Sequence, residues 1–181
     1  MKKYELTSET KDFMGRTLYR IRALVSFGDV SAGDLGGWIE GEKNLDQDGD
    51  AWVYGNAWVY GDARVFGNAW VYGDARVFGN AWVSGDARVF GNAWVSGDAW
   101  VDKIGSIFWI GAVGSRNDTT TFFKCKDGNI RVSCGCFFGD LKEFSEKVKE
   151  AHGENEFGRV YMLAIEMAKI RIGEDPNENE K

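Results

Sequence analysis

Histidine is nearly absent from this chain of 181 residues: there is one, His152, and it lies outside the regular stretch at 49–102. A zinc centre built on three histidines is therefore excluded. No threonine occurs in that stretch either, which removes the ladders of threonine by which a flat β face binds ice. Only three cysteines are present, Cys125, Cys134 and Cys136. An odd number with two so close together points to a reducing compartment rather than a disulfide framework. The longest apolar stretch, Ile107 to Val113, is far short of a membrane span, and the start, Met1 to Glu5, carries no apolar run of a signal peptide. A soluble, non-secreted protein of the cytoplasm is the expectation, with no membrane partner. The net charge of −6 offers no general basic face for phosphates and argues against nucleic acid as a partner.

What is abundant is glycine in register. From Gly49 to Gly97 a glycine recurs every six residues, in nine hexads of the form Gly, Asp/Asn, Ala, Trp/Arg, Val, Tyr/Phe/Ser. Ala and Val share one parity and Trp/Arg and the aromatic the other, so a short strand points Ala and Val to one side. The Gly-Asp or Gly-Asn pair turns the chain. Three such strands and three corners make a coil of about 18 residues that stacks as a solenoid. Asp and Asn alternate strictly by hexad. Only an odd number of hexads per coil then places each Asp over an Asn, as in Asp50, Asn68, Asp86, and keeps like charges apart. Three sides also order the outer faces. Column one reads Trp52, Trp70, Arg88, column two Trp58, Arg76, Trp94, and column three Arg64, Trp82, Trp100. Every Arg thus gains a Trp neighbour at cation–π spacing.

The fold expected is mainly β: a three-sided parallel β-helix, left-handed in preference, with a small C-terminal α+β domain. Residues 1–36 read as an N-terminal β element and cap, 37–107 as the β-helix, 108–173 as the α+β domain, and 174–181 as a disordered tail. In the C-terminal part, Ile107–Ile110 and Thr119–Lys126 read as strands, and Lys126-Asp127-Gly128-Asn129 as a hairpin turn into Ile130–Ser133. Asp140 with Glu143 forms a capping box for a helix whose buried stripe is Leu141, Phe144, Val148 and whose end is Gly153. A second helix is expected from Arg159 to Ile172.

The spacing of Val53 and Ala57, an aliphatic residue followed four positions later by a small one, resembles the hexapeptide pattern of left-handed parallel β-helices. That fold carries acyltransferases, carbonic anhydrases and binding proteins alike. The flanks, Tyr19 to Leu24, Gly33 to Glu40 and Cys134 to Gly139, are similar to those of uncharacterised phage and prophage hexapeptide-repeat proteins. The resemblance implies a bacterial or phage origin and no established activity. Hexapeptide acyltransferases place a histidine base beside a cofactor cleft between subunits, and the unbroken repeats here hold none. Cys125, Cys134, Cys136 and His152 depart from zinc-ribbon spacing, so neither a metal nor a cofactor is expected.

Six Trp, three Tyr and three Phe project outward from the nine hexads, each able to bury ~150–250 Å². That exceeds the apolar patch of an ordinary monomer. Cover by the C-terminal domain and by a symmetric homo-oligomer, a dimer or trimer, is expected for part of it. The remainder reads as a binding face: Trp58, Arg76 and Trp94 first, with Trp70, Arg88, Arg64 and Trp82 on the other columns. Catalysis is not expected. The function expected is capture of a host protein or a nucleotide-like signal, as a counter-defence or host-modulating factor. The alternatives are an acyltransferase and a structural self-assembling module.

Overall fold

The computed structural model describes residues 2–173; the tail read as disordered lies outside them. The chain forms two compact units, Met1–Ile104 and Gly105–Lys181. The first opens with a hairpin of β1 (Tyr4–Phe13) and β2 (Arg16–Ala23), followed by β3 (Leu35–Ile39). Nine two-residue strands come next: β4 (Trp52–Val53), β5 (Trp58–Val59), β6 (Arg64–Val65), β7 (Trp70–Val71), β8 (Arg76–Val77), β9 (Trp82–Val83), β10 (Arg88–Val89), β11 (Trp94–Val95) and β12 (Trp100–Val101).

Parallel pairing stacks them as β4-β7-β10, β5-β8-β11 and β6-β9-β12, the three columns that the hexad register predicts. Every hexad Ala and Val from Ala51 to Val101 is fully buried, because six-residue sides leave an interior only small, branched side chains can fill. Each corner glycine from Gly49 to Gly97 has positive φ. At Gly73 an added Cβ would also press to 3.0 Å from the Gly91 backbone of the next coil, so the turn needs glycine for conformation and for closeness. Asp-over-Asn stacking is realised where the Asn68 amide donates to Asp86 at 3.3 Å and the Asn80 amide to Asp98 at 3.4 Å. Ser84 and Ser96, of outward parity, are nevertheless buried, so this row is less open than alternation alone implies.

A parallel coil leaves backbone carbonyls of its first turn without donors. A partial coil supplies some, as Trp38 N–H donates to Ala57 and Asp46 N–H to Val65. Side chains supply others. The Lys3 ammonium, buried, donates to the carbonyls of Asp48, Gly49 and Ala51 at 3.1–3.3 Å. The Asn44 amide donates to those of Gly61 and Ala63 at 3.0 and 2.9 Å.

The second unit is an antiparallel meander of β13 (Ile107–Val113), β14 (Asp118–Lys124), β15 (Ile130–Cys134) and β16 (Phe137–Asp140), followed by α1 (Leu141–His152) and α2 (Glu156–Ile172). Ile107, read as the last solenoid position, is the first residue of β13. The Asp140–Glu143 capping box forms as expected, and Gly153 closes α1 with its N–H on the Lys149 carbonyl. Helix α2 starts three residues earlier than its apolar pattern indicates, because the Asn155 side chain accepts from Gly158 N–H as N-cap. Phe122, Val132, Phe144, Val148, Tyr161 and Ile165 fill the core between sheet and helices.

Candidate binding faces of the solenoid

Period-six strands place the fourth residue of each hexad on the outer surface, so the three columns carry the candidate residues on three different faces. They do not converge on one site. On the first face Trp52 is buried under the rings of Tyr4 and Phe27, 6.1 and 5.4 Å away. Arg88 sits 4.1 Å over Trp70, but its guanidinium donates to the carbonyls of Asn68, Asp86 and Ala87. One of its nitrogens, Nη1, is thereby committed to the backbone. On the third face Arg64 lies 6.0 Å from Trp82, with Trp82 and Trp100 6.0 Å apart, a looser arrangement.

The second face is different. Strands β5, β8 and β11 extend the sheet of β1, β2 and β3, and the Arg76 guanidinium lies 4.3 Å from the Trp58 ring and 5.1 Å from the Trp94 ring. Tyr60 and Phe78 stack beside it at 5.1 Å, nearly parallel. Burial raises the Tyr60 phenol pKa above its usual value, against the pull of Arg76 and Arg16. Among the described residues Arg76 forms no ion pair. A guanidinium flanked by two rings keeps its in-plane N–H donors for an acceptor in the plane, which suits a carboxylate or phosphate.

The N-terminal hairpin completes this face, a contribution that the repeat alone does not reveal. A register shift between Leu6 and Thr10 lets the end of β1 return over the outer surface. Phe13 meets Trp58 and Tyr60 edge-on at 5.1 and 5.8 Å and lies 5.4 Å from the Arg76 guanidinium. The Lys11 ammonium is 4.1 Å over Trp38 and 5.8 Å from Trp58. Lys11 also forms no ion pair among the described residues, whereas Arg16 at the hairpin tip is held by Glu40 at 2.8 Å. The signal available in the sequence was the even spacing of Lys11 and Phe13, which puts both on one side of a strand.

Elsewhere the cysteines and the histidine do not assemble. Cys125 is buried, Cys134 accepts from the Thr120 hydroxyl at 3.2 Å and contacts the Tyr161 hydroxyl at 3.8 Å, and Cys136 is exposed. His152 stacks on Tyr161 at 5.8 Å. Among the described residues no group of three or more His, Cys, Asp or Glu gathers to hold a metal, and no helix is long and apolar enough to cross a membrane.

The sequence model of the YdcK β-solenoid repeat matches residues 57–73, 69–85 and 81–97. A curated relative, the uncharacterised acetyltransferase YdcK of Escherichia coli K12, is 39% identical over an alignment of 72 positions that covers 35% of this chain and 22% of that protein. The chain thus matches less than a quarter of the relative's length. The matched repeats lie in the solenoid, and together with the stacked columns they identify a hexapeptide-repeat β-solenoid protein.

Proposed function

We propose that this chain is a non-catalytic binding protein that takes an anionic group of its ligand or partner on the second face. The observation that carries the reading is Arg76, clamped between Trp58 and Trp94 with no ion pair among the described residues. Lys11 adds a second cation on the other approach to Trp58, so a protein of net charge −6 concentrates unpaired positive charge on aromatic ground. A nucleotide-like signal or an acidic segment of a host protein has the matching chemistry. The resemblance of the flanks to phage and prophage proteins makes counter-defence or host modulation the role proposed, in the cytoplasm of a bacterial host.

A panel of nucleoside mono- and diphosphates and an acidic peptide, titrated by tryptophan fluorescence, tests this directly. Arg76→Ala should abolish any response and Lys11→Ala weaken it; equal binding by both variants would sink the assignment.

The similarity to the YdcK acetyltransferase favours acyl transfer as the second reading. Against it stands the absence of any histidine from the solenoid, which leaves no usual general base there. Release of coenzyme A thiol from acetyl-CoA in the presence of amine and hydroxyl acceptors separates the two readings.

A further inference from the structure

Strand β3 pairs with β5 and so sets Trp38 in register with Trp58, Arg76 and Trp94 along the second column. Trp38 is only 2% exposed, and its buried indole N–H has no acceptor among the described residues. A buried donor left unpaired costs the fold stability and marks a place where an acceptor belongs. Two cations lie against this ring. The Arg20 guanidinium, 5.5 Å away, is pinned to the Gly36 carbonyl and to Glu9. The Lys11 ammonium, 4.1 Å over the ring, forms no ion pair among the described residues, so its flexible stem can swing and open the indole beneath it.

We infer, resting on the proposed anion site at Arg76, that the ligand carries two phosphoryl groups held apart by a sugar, as in a nucleoside 3′,5′-bisphosphate. One phosphate takes the in-plane donors of Arg76 between Trp58 and Trp94. The other takes the Lys11 ammonium and the Trp38 N–H, two donors whose separate directions suit the tetrahedral oxygens of a phosphate better than a planar carboxylate. Trp58 sets the spacing. It stands between the two cations in the column, with the ammonium 5.8 Å and the guanidinium 4.3 Å from its ring. Adjacent phosphates of a diphosphate share a bridging oxygen and cannot straddle an indole, whereas phosphates on the 3′ and 5′ oxygens of one ribose can. Glu9 and Glu40, on the hairpin side of this face, are engaged by Arg20 and Arg16, which leaves the two subsites their positive charge.

Calorimetric titration of the full chain with AMP, ADP and adenosine 3′,5′-bisphosphate reads the spacing. The bisphosphate should bind more tightly than AMP or ADP by about tenfold or more. Lys11→Met should bring it down to the affinity of AMP, Trp38→Phe should weaken it while keeping a ring in place, and Arg76→Ala should remove binding of all three. The Trp38 indole N–H, followed in proton–nitrogen correlation spectra of the unmutated chain, should move downfield as the bisphosphate is added, a readout that does not depend on any variant folding. Equal affinity for the three compounds, lost in Arg76→Ala and untouched by Lys11→Met, leaves the anion site at Arg76 standing and overturns the two-phosphate ligand. So does a Trp38 signal unmoved at saturation. No binding of any of the three overturns both this inference and the anion site on which it rests.

Discussion

Arginine occupies the same place in three hexads, and its neighbours give it three different roles. Arg88 donates to three backbone carbonyls, Arg64 is exposed and only loosely placed near Trp82, and Arg76 is held between two indoles with no ion pair among the described residues. Identical repeat positions therefore do not predict identical consequences. Arg88→Ala removes hydrogen bonds that hold a corner of the coil and should cost roughly 1 kcal/mol in urea denaturation. Arg76→Ala loses cation–π contacts worth ~0.5–1 kcal/mol at a half-exposed site, so its unfolding midpoint should move less than its binding does. If Arg76→Ala is the more destabilised of the two, the second face is a structural stack and not a binding surface.

At the scale of elements, the coils were legible because period and parity act locally: glycine fixes the corner, and Ala and Val have nowhere to go but in. The Asp/Asn alternation added the number of sides. The part that escaped is the part set by distant contacts. Strand β16 is hidden because Gly135 and Cys136 make a two-residue turn without the usual Asn-Gly or Asp-Gly signal, with Gly135 at φ 58°. The even spacing of Lys11 and Phe13 puts them on one side of a strand, but which surface that side covers depends on a bulge and on three strand pairings that leave no pattern in the residues themselves. So Trp58, Arg76 and Trp94 could be read as a stack from sequence, while the hairpin side of the same face could not. The cap at the first coil was likewise invisible, yet it carries weight. Lys3→Met would leave three carbonyls without the ammonium that serves them, and about 1.5–3 kcal/mol of stability should go with it. Lys2→Met breaks only the exposed pair with Glu42 at 2.7 Å and should cost under about 1 kcal/mol. Equal losses for the two lysines would show that the ammonium of Lys3 does not cap the coil.

For the molecule as a whole, the tyrosines set how it responds to alkali. Burial raises the phenol pKa of Tyr4, Tyr54 and Tyr60 in one unit and pushes Tyr161 up to about 12 in the other, where Cys134 adds to the effect. A phenol whose folded pKa lies above its unfolded value keeps its proton longer in the native state. Its stabilising contribution is complete below the ordinary pKa of 10.0 and is lost as pH rises toward the folded value. Lys3 runs the other way, since burial lowers its pKa from 10.5, and stability gains with pH between its folded value and the unfolded one. One lysine opposes four tyrosines. Both units should therefore lose stability from about pH 10 upward, read as a falling urea midpoint. Tyr161→Phe should lower stability somewhat at pH 8, through loss of the hydroxyl's contact with Cys134, yet flatten the alkaline decline of the C-terminal unit between pH 10 and 12. Tyr4→Phe should act alike in the solenoid unit, at a larger cost at pH 8, because its hydroxyl donates to Leu45 at 2.7 Å in a buried position. A decline that keeps its full slope in the double Phe variant would mean that groups other than these phenols govern the alkaline limit.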